Sequence, residues 1–230
     1  MRSVLAVGAH PDDIELGCGG ALAAHRAAGH TLTMLVLSDG GNGPGTADRW
    51  AEQDAAARVL DAGLVWGGLA DCGLVPDAAT VTLVEKVINA VGADVVYVHA
   101  PEDSHQDHRA AVAATLAAAR HGTCVLHYRS PSTLDFRPTL YIDIAEHLDR
   151  KLAALACHRS QVEGSVMVDP EAVAASARHF GAEARVRYAE AFAPARFVWD
   201  LVPVRDWPGT PVPRSAPVPA RTPADRLPIR

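Results

Sequence analysis

The run Ser3-Val4-Leu5-Ala6-Val7-Gly8-Ala9-His10-Pro11-Asp12-Asp13-Ile14-Glu15-Leu16-Gly17-Cys18-Gly19-Gly20 decides the reading of this chain. Its first seven residues are apolar or small and have strand length, and they stop at a turn rich in Pro, Asp and Gly, so they read as a buried strand. That strand delivers an imidazole, His10, and two carboxylates, Asp12 and Asp13, onto the turn. Residues 16–29 follow as an alanine-rich helix closed by Gly29, and residues 31–37 form a second apolar run. The result is a strand–helix–strand unit.

The pattern continues to the far end of the chain. Helical spacing is expected over residues 48–60 and 78–91, with strands at 64–69 and 94–99. The second of these strands runs into a polar cluster at 101–108 and then a helix at 109–121. Further strands are expected at 124–128 and 140–144, helices at 146–158 and 171–191, and a closing strand at 196–202. Such alternation predicts an α/β, Rossmann-like fold: a mostly parallel sheet with helices on both faces. Ligands of such sheets bind beyond the carboxyl ends of the strands. Both polar clusters, 10–13 and 105–108, fall there, so two separate motifs become one candidate site. The glycine-rich loop at 38–45 is expected to be mobile or closely approached by a ligand.

We read one domain over residues 1–202. Residues 203–230 form a tail in which prolines alternate with Arg and Ala, a composition that sustains neither helix nor sheet. This tail is expected to be extended, disordered or packed on a neighbouring subunit, and the chain is expected to be a homo-oligomer. A net charge of -6 with no basic run argues against nucleic acid as a partner. The four cysteines are far apart with no C-x-x-C pair, which suits reduced thiols. No signal-peptide pattern and no apolar run of membrane-span length occur, so a cytoplasmic protein without a membrane partner is expected.

A catalytic zinc takes three ligands from His and Asp or Glu and keeps a fourth position for water. His10, Asp13 and His108 supply that inventory. Bound metal lowers the pKa of its water to roughly 7, and a base must then receive the proton. Asp12 takes that role, because two adjacent carboxylates repel unless one binds the cation and the other does something else. His105, three residues before His108 at a helix start, faces the same cavity if the first turn is helical. As a free imidazole it would stabilise an oxyanion or protonate a leaving amine, with Asp107 able to orient it. The remaining histidines read as surface or core residues, with His158 the one of modest functional interest. A dinucleotide-binding module shares the strand, glycine turn and helix. The G-x-G-x-x-G spacing fails, however, because His10 stands at the second glycine, and Asp12 and Asp13 would repel a pyrophosphate.

His10-Pro11-Asp12-Asp13 with Glu15-Leu16-Gly17-Cys18-Gly19-Gly20, together with His105-Gln106-Asp107-His108, resembles the LmbE-like (PIG-L) zinc-dependent de-N-acetylases. Weaker echoes occur at residues 49–52, 156–161 and 188–192. The resemblance implies one Zn2+ per subunit on His10, Asp13 and His108, with other divalent metals possible. It also implies Asp12 as base, His105 as oxyanion or acid partner, and removal of an N-acetyl group from an N-acetylglucosamine conjugate. An S-conjugate amidase with the same machinery is the close alternative. Arg49, Asp71 and Tyr188 are the substrate contacts the resemblance offers. One departure stands out: some members carry a tyrosine two residues before the first histidine of the second motif, and this chain has Asp103 there.

Overall fold

A computed structural model describes residues 1–41, 48–163 and 168–199 of the chain. The tail at 203–230 and residues 42–45 of the glycine loop lie outside the described residues. A seven-stranded sheet has the order β3-β2-β1-β4-β5-β7-β6. It is built from β1 (Ser3–Gly8), β2 (Thr31–Ser38), β3 (Gly63–Leu69), β4 (Val95–His99), β5 (Cys124–Tyr128), β6 (Leu140–Asp143) and β7 (Ala189–Arg196). Strands β1 to β5 are mutually parallel, while β7 runs antiparallel to both β5 and β6. The expected α/β, mostly parallel sheet is therefore the observed one.

The helices are α1 (Asp13–Ala27), α2 (Arg49–Leu60), α3 (Ala78–Val91), α4 (Gln106–Ala118), α5 (Leu148–Leu155), the short α6 (Arg159–Val162) and α7 (Pro170–Ala184). Aspartates start three of them: Asp48, Asp77 and Asp169 each accept a backbone N–H of the first turn. Strand residues alternate between two cores. Val4 and Ala6 join Ile14, Leu22, Met34 and Tyr97 on one face; Leu5 and Val7 join Leu35, Val84, Val96 and Val112 on the other. Burial on both faces is why β1 and β2 read as continuous apolar runs.

Two glycines let α1 sit tightly on the sheet. A Cβ at Gly17 would lie 2.1 Å from the Tyr128 ring, and one at Gly20 would lie 2.8 Å from Ile144. A buried ion pair pins the same stretch. Lys151 of α5 bonds both the Leu16 carbonyl, at 2.6 Å, and the Glu190 carboxylate, which in turn accepts the amides of Gly20 and Ala21 at 3.0 and 2.6 Å.

The C-terminal elements differ from the sequence expectation. Helix α7 stops at Ala184, because Arg185 turns left-handed with φ 64, and the closing strand begins at Ala189 instead of 196. Pro194 obscures this strand in the sequence. It is tolerated because β6 pairs only with Ala189 to Phe192, so Pro194 borders β5 alone, beyond the end of the β6 ladder.

Strand order reverses between β1 and β4, which lie side by side while their connections run to opposite edges. The chain leaves β1 into His10–Asp13 and leaves β4 just after His99, so the switch point is the crevice where a ligand is expected.

Candidate metal centre and active site

Among the described residues, four imidazoles and five carboxylates converge on this crevice: His10, His99, His105 and His108 with Asp12, Asp13, Asp71, Asp103 and Asp107. Among the described residues, three groups have ligand atoms within 4.8 Å of one another: His10 with His105 and His108, Asp13 with His99 and His108, and His10 with Asp71 and Asp107. The His10 and His108 rings, 5.5 Å apart between centroids, flank Asp13. His10 Nδ1 is 3.5 Å from Asp13 Oδ2, and His108 Nε2 is 3.4 Å from Asp13 Oδ1.

The outer nitrogens define the tautomers. His10 Nε2 faces Asp71 at 3.0 Å and Asp107 at 3.2 Å. His108 Nδ1 faces Asp103 at 3.2 Å. Asp13 faces the other nitrogen of each ring, so without an ion both imidazoles favour the doubly protonated form; when a cation displaces one proton, the nitrogen on the outer carboxylate keeps the other. In both histidines the nitrogen then freed for the cation is the one toward Asp13. This histidine-on-carboxylate arrangement is how metal ligands are oriented and made more basic. The donor set, two imidazole nitrogens and a carboxylate with outer partners in place, fits a divalent cation of the zinc type.

Each supporting residue is itself held. Asp107 is fully buried and accepts the amides of Cys72 at 2.7 Å and Leu74 at 3.3 Å. The sequence reading gave Asp107 to His105; its carboxylate aligns His10 instead. Asp103 accepts Ser130 Oγ at 2.6 Å, Thr133 Oγ1 at 3.1 Å and the His105 amide at 2.9 Å. His105 caps α4, its Nδ1 accepting the Asp107 amide at 3.2 Å, so its own proton sits on Nε2. His99 is fully buried and stacks on His108 at 3.9 Å, with Nε2 at 3.2 Å from Asp13.

Burial and mutual charge set the protonation preferences. Burial pushes the Asp12 carboxyl up, reinforced by the Asp13 charge, to about 7. Asp13 is driven well below the ordinary carboxylate range, because the His108 and His99 charges outweigh its burial. For His108, burial is overcome by Asp13 and by the Asp103 hydrogen bond, and the imidazole rises to about 10. Asp103 is held low despite burial by His108 and Ser130. Burial brings His99 down to about 4, and burial with the His108 and His10 charges lowers His105.

The expected substrate contacts divide. Asp71 and Arg49 reach the site, Asp71 on His10 and Arg49 with Nη2 at 3.7 Å from Asp12. Tyr188 does not join them: its ring packs against the Ile144, Leu148 and Ala177 cluster with Arg187 above it. Sequence reasoning missed His99, treated as an ordinary core histidine, although it ends a parallel strand as His10 nearly does. Asp103 was noticed only as a missing tyrosine.

A mostly parallel α/β sheet with a His/Asp cluster at its switch point defines a candidate metal centre. The GlcNAc-PI de-N-acetylase (PIG-L) model matches residues 5–119, the span holding both motifs. The chain is 36% identical over 169 residues to an uncharacterised deacetylase, YaiS, of Escherichia coli strain K12, covering 69% of this chain and 91% of that protein. It is 25% identical over 193 residues to a 4-oxalmesaconate hydratase of Pseudomonas putida, covering 70% of this chain and 74% of the relative. The crystal structure of the conserved protein TT1542 from Thermus thermophilus superposes with a TM-score of 0.80 at 29% identity, over 90% of this chain and 100% of that one. The chain belongs to the LmbE-like (PIG-L) de-N-acetylase family. Among the described residues no helix is long and apolar enough to cross a membrane.

Proposed function

We propose that this protein is a zinc-dependent N-deacetylase acting on an N-acetylglucosamine-containing small molecule, with the ion held by His10, Asp13 and His108. One observation carries the reading: the outer nitrogens of both histidines rest on buried carboxylates, which leaves the nitrogens toward Asp13 to take the cation on loss of a proton. When bound, the ion supplies Lewis acidity, polarising the amide carbonyl and lowering the pKa of a water to roughly 7. Asp12, poised at about 7, takes the proton of the attacking water and returns it to the departing amine. His105 is kept neutral with its proton on Nε2, and it donates to the carbonyl oxygen as negative charge develops there. Asp107 and Asp103 hold His10 and His108 in register, and Asp71 forms the sugar-side wall.

The family model and the deacetylase relative support amide hydrolysis, whereas the hydratase relative favours a second reading, addition of water to a carbon–carbon double bond. Acetate and amine release from a panel of N-acetylglucosamine conjugates, before and after chelation, separates them. Chelator-sensitive acetate release is expected. Hydration of an unsaturated tricarboxylate without amide cleavage would transfer the site to the second reading, and no chelator-sensitive turnover of either kind would end both.

A further inference from the structure

Asp12 stands in an uncommon backbone conformation, φ 87 and ψ -26, for a residue with a side chain. Only a surrounding that fixes it keeps such a residue in place. The peptide unit that sets this angle, Pro11 to Asp12, is gripped on both sides by one face of α2. Arg49 donates from Nη2 to the Pro11 carbonyl at 2.8 Å, and Gln53, one turn later, accepts the Asp12 amide on Oε1 at 3.3 Å. Arg49 also donates from Nη1 to the Gly40 carbonyl at 3.1 Å. Any Cβ at Gly40 would meet that guanidinium at 2.0 Å. Each terminal nitrogen of Arg49 thus gives one hydrogen bond to backbone, the geometry of a clamp.

Gln53 is fully buried, and its amide has one possible orientation. Its Nε2 donates to Glu15 Oε1 at 2.7 Å, which leaves Oε1 to face the Asp12 amide. Glu15, also fully buried, lies 3.4 Å from Nε2 of the buried His158 imidazole. A line of buried groups, His158–Glu15–Gln53, therefore ends on the backbone of Asp12.

We propose that Gln53 is a positioning residue which, with Arg49, clamps the Pro11–Asp12 peptide so that the Asp12 carboxylate points at the reacting water, and that Glu15 backed by His158 locks the Gln53 amide in the clamping orientation. This rests on Asp12 being the base. The hydrogen bonds of the Gln53 side chain go to Asp12 and Glu15, neither of them a ligand of the ion, so it acts through Asp12. Misplacement of a reacting group by about 1 Å costs on the order of 100-fold.

The test is a double-mutant cycle on the zinc-loaded full chain: Gln53→Met, Asp12→Asn and both together, with kcat, KM and zinc content measured for each. Gln53→Met should lower kcat on the order of 100-fold with KM within about threefold and zinc retained, yet cost under about twofold when added to Asp12→Asn. Gln53→Leu, of similar volume and with no charge to bury, guards against a folding failure peculiar to one side chain and should show the same split. A KM rise at unchanged kcat, loss of zinc in both variants, or a full additional penalty in the Asp12→Asn background would overturn the clamp. Near-normal turnover of Asp12→Asn would instead overturn the base assignment on which it rests.

Discussion

His108 should titrate far outside the ordinary imidazole range. Two carboxylates bracket the ring, Asp13 at 3.4 Å from Nε2 and Asp103 at 3.2 Å from Nδ1, and they override burial to raise the pKa to about 10. Against a reference of 6.5, that rise is on the order of 5 kcal/mol of preference for the charged ring, at about 1.4 kcal/mol per unit. The sign has two consequences. In chelator-treated protein the bracket contributes stability that is fully present below pH 6.5 and is lost as pH climbs through about 10. Ligation through Nε2 requires the neutral ring, so metal and proton compete for one lone pair, and zinc affinity should rise with pH over the same window. Histidine NMR on chelator-treated protein reads the titration directly. A ring assigned to His108 that remains protonated through about pH 8.5 is expected. A titration near the ordinary 6.5 would show that the carboxylates do not govern this ring, and the reasoning about its tautomer would fall with it.

Other outcomes follow from the same geometry. Asp103→Asn keeps the shape but removes the charge behind His108, and should weaken zinc binding about 10–100-fold in a chelator competition. Gly17→Ala places a Cβ 2.1 Å from the Tyr128 ring, whose hydroxyl donates to the Val7 carbonyl at 2.8 Å. Overpacking together with the loss of that buried bond should cost roughly 2–5 kcal/mol in denaturant unfolding. Lys151→Met leaves the Glu190 carboxylate buried without its cation, and a loss of about 3–5 kcal/mol is expected in the same experiment.

Most of the fold was legible because the strands β1, β2 and β4 are buried on both faces and so appear as unbroken apolar runs. The ends were harder to read. Nothing in residues 171–191 announces that Arg185 will adopt a left-handed turn, and Pro194 argues against a strand unless one knows that β6 stops short of it. At the site, His10, Asp12, Asp13, His105 and His108 stood out because motif spacing placed them together. His99 and Asp103 did not, since a lone histidine at the end of an apolar run looks like core and an aspartate in a loop looks like a turn residue. Their roles come from packing between β1 and β4 and from the loop after β5, which spacing along one chain does not encode. Gln53 was equally silent, as its meaning lies in the backbone groups it faces.

Metal content and acetate release measured together on wild-type protein and His108→Ala test the central claim most directly. Wild type should hold one zinc per chain and release acetate from an N-acetylglucosamine conjugate in a chelator-reversible way, and His108→Ala should lose the ion and the turnover together. Full zinc content and undiminished acetate release in His108→Ala would contradict the metal centre assigned to this crevice.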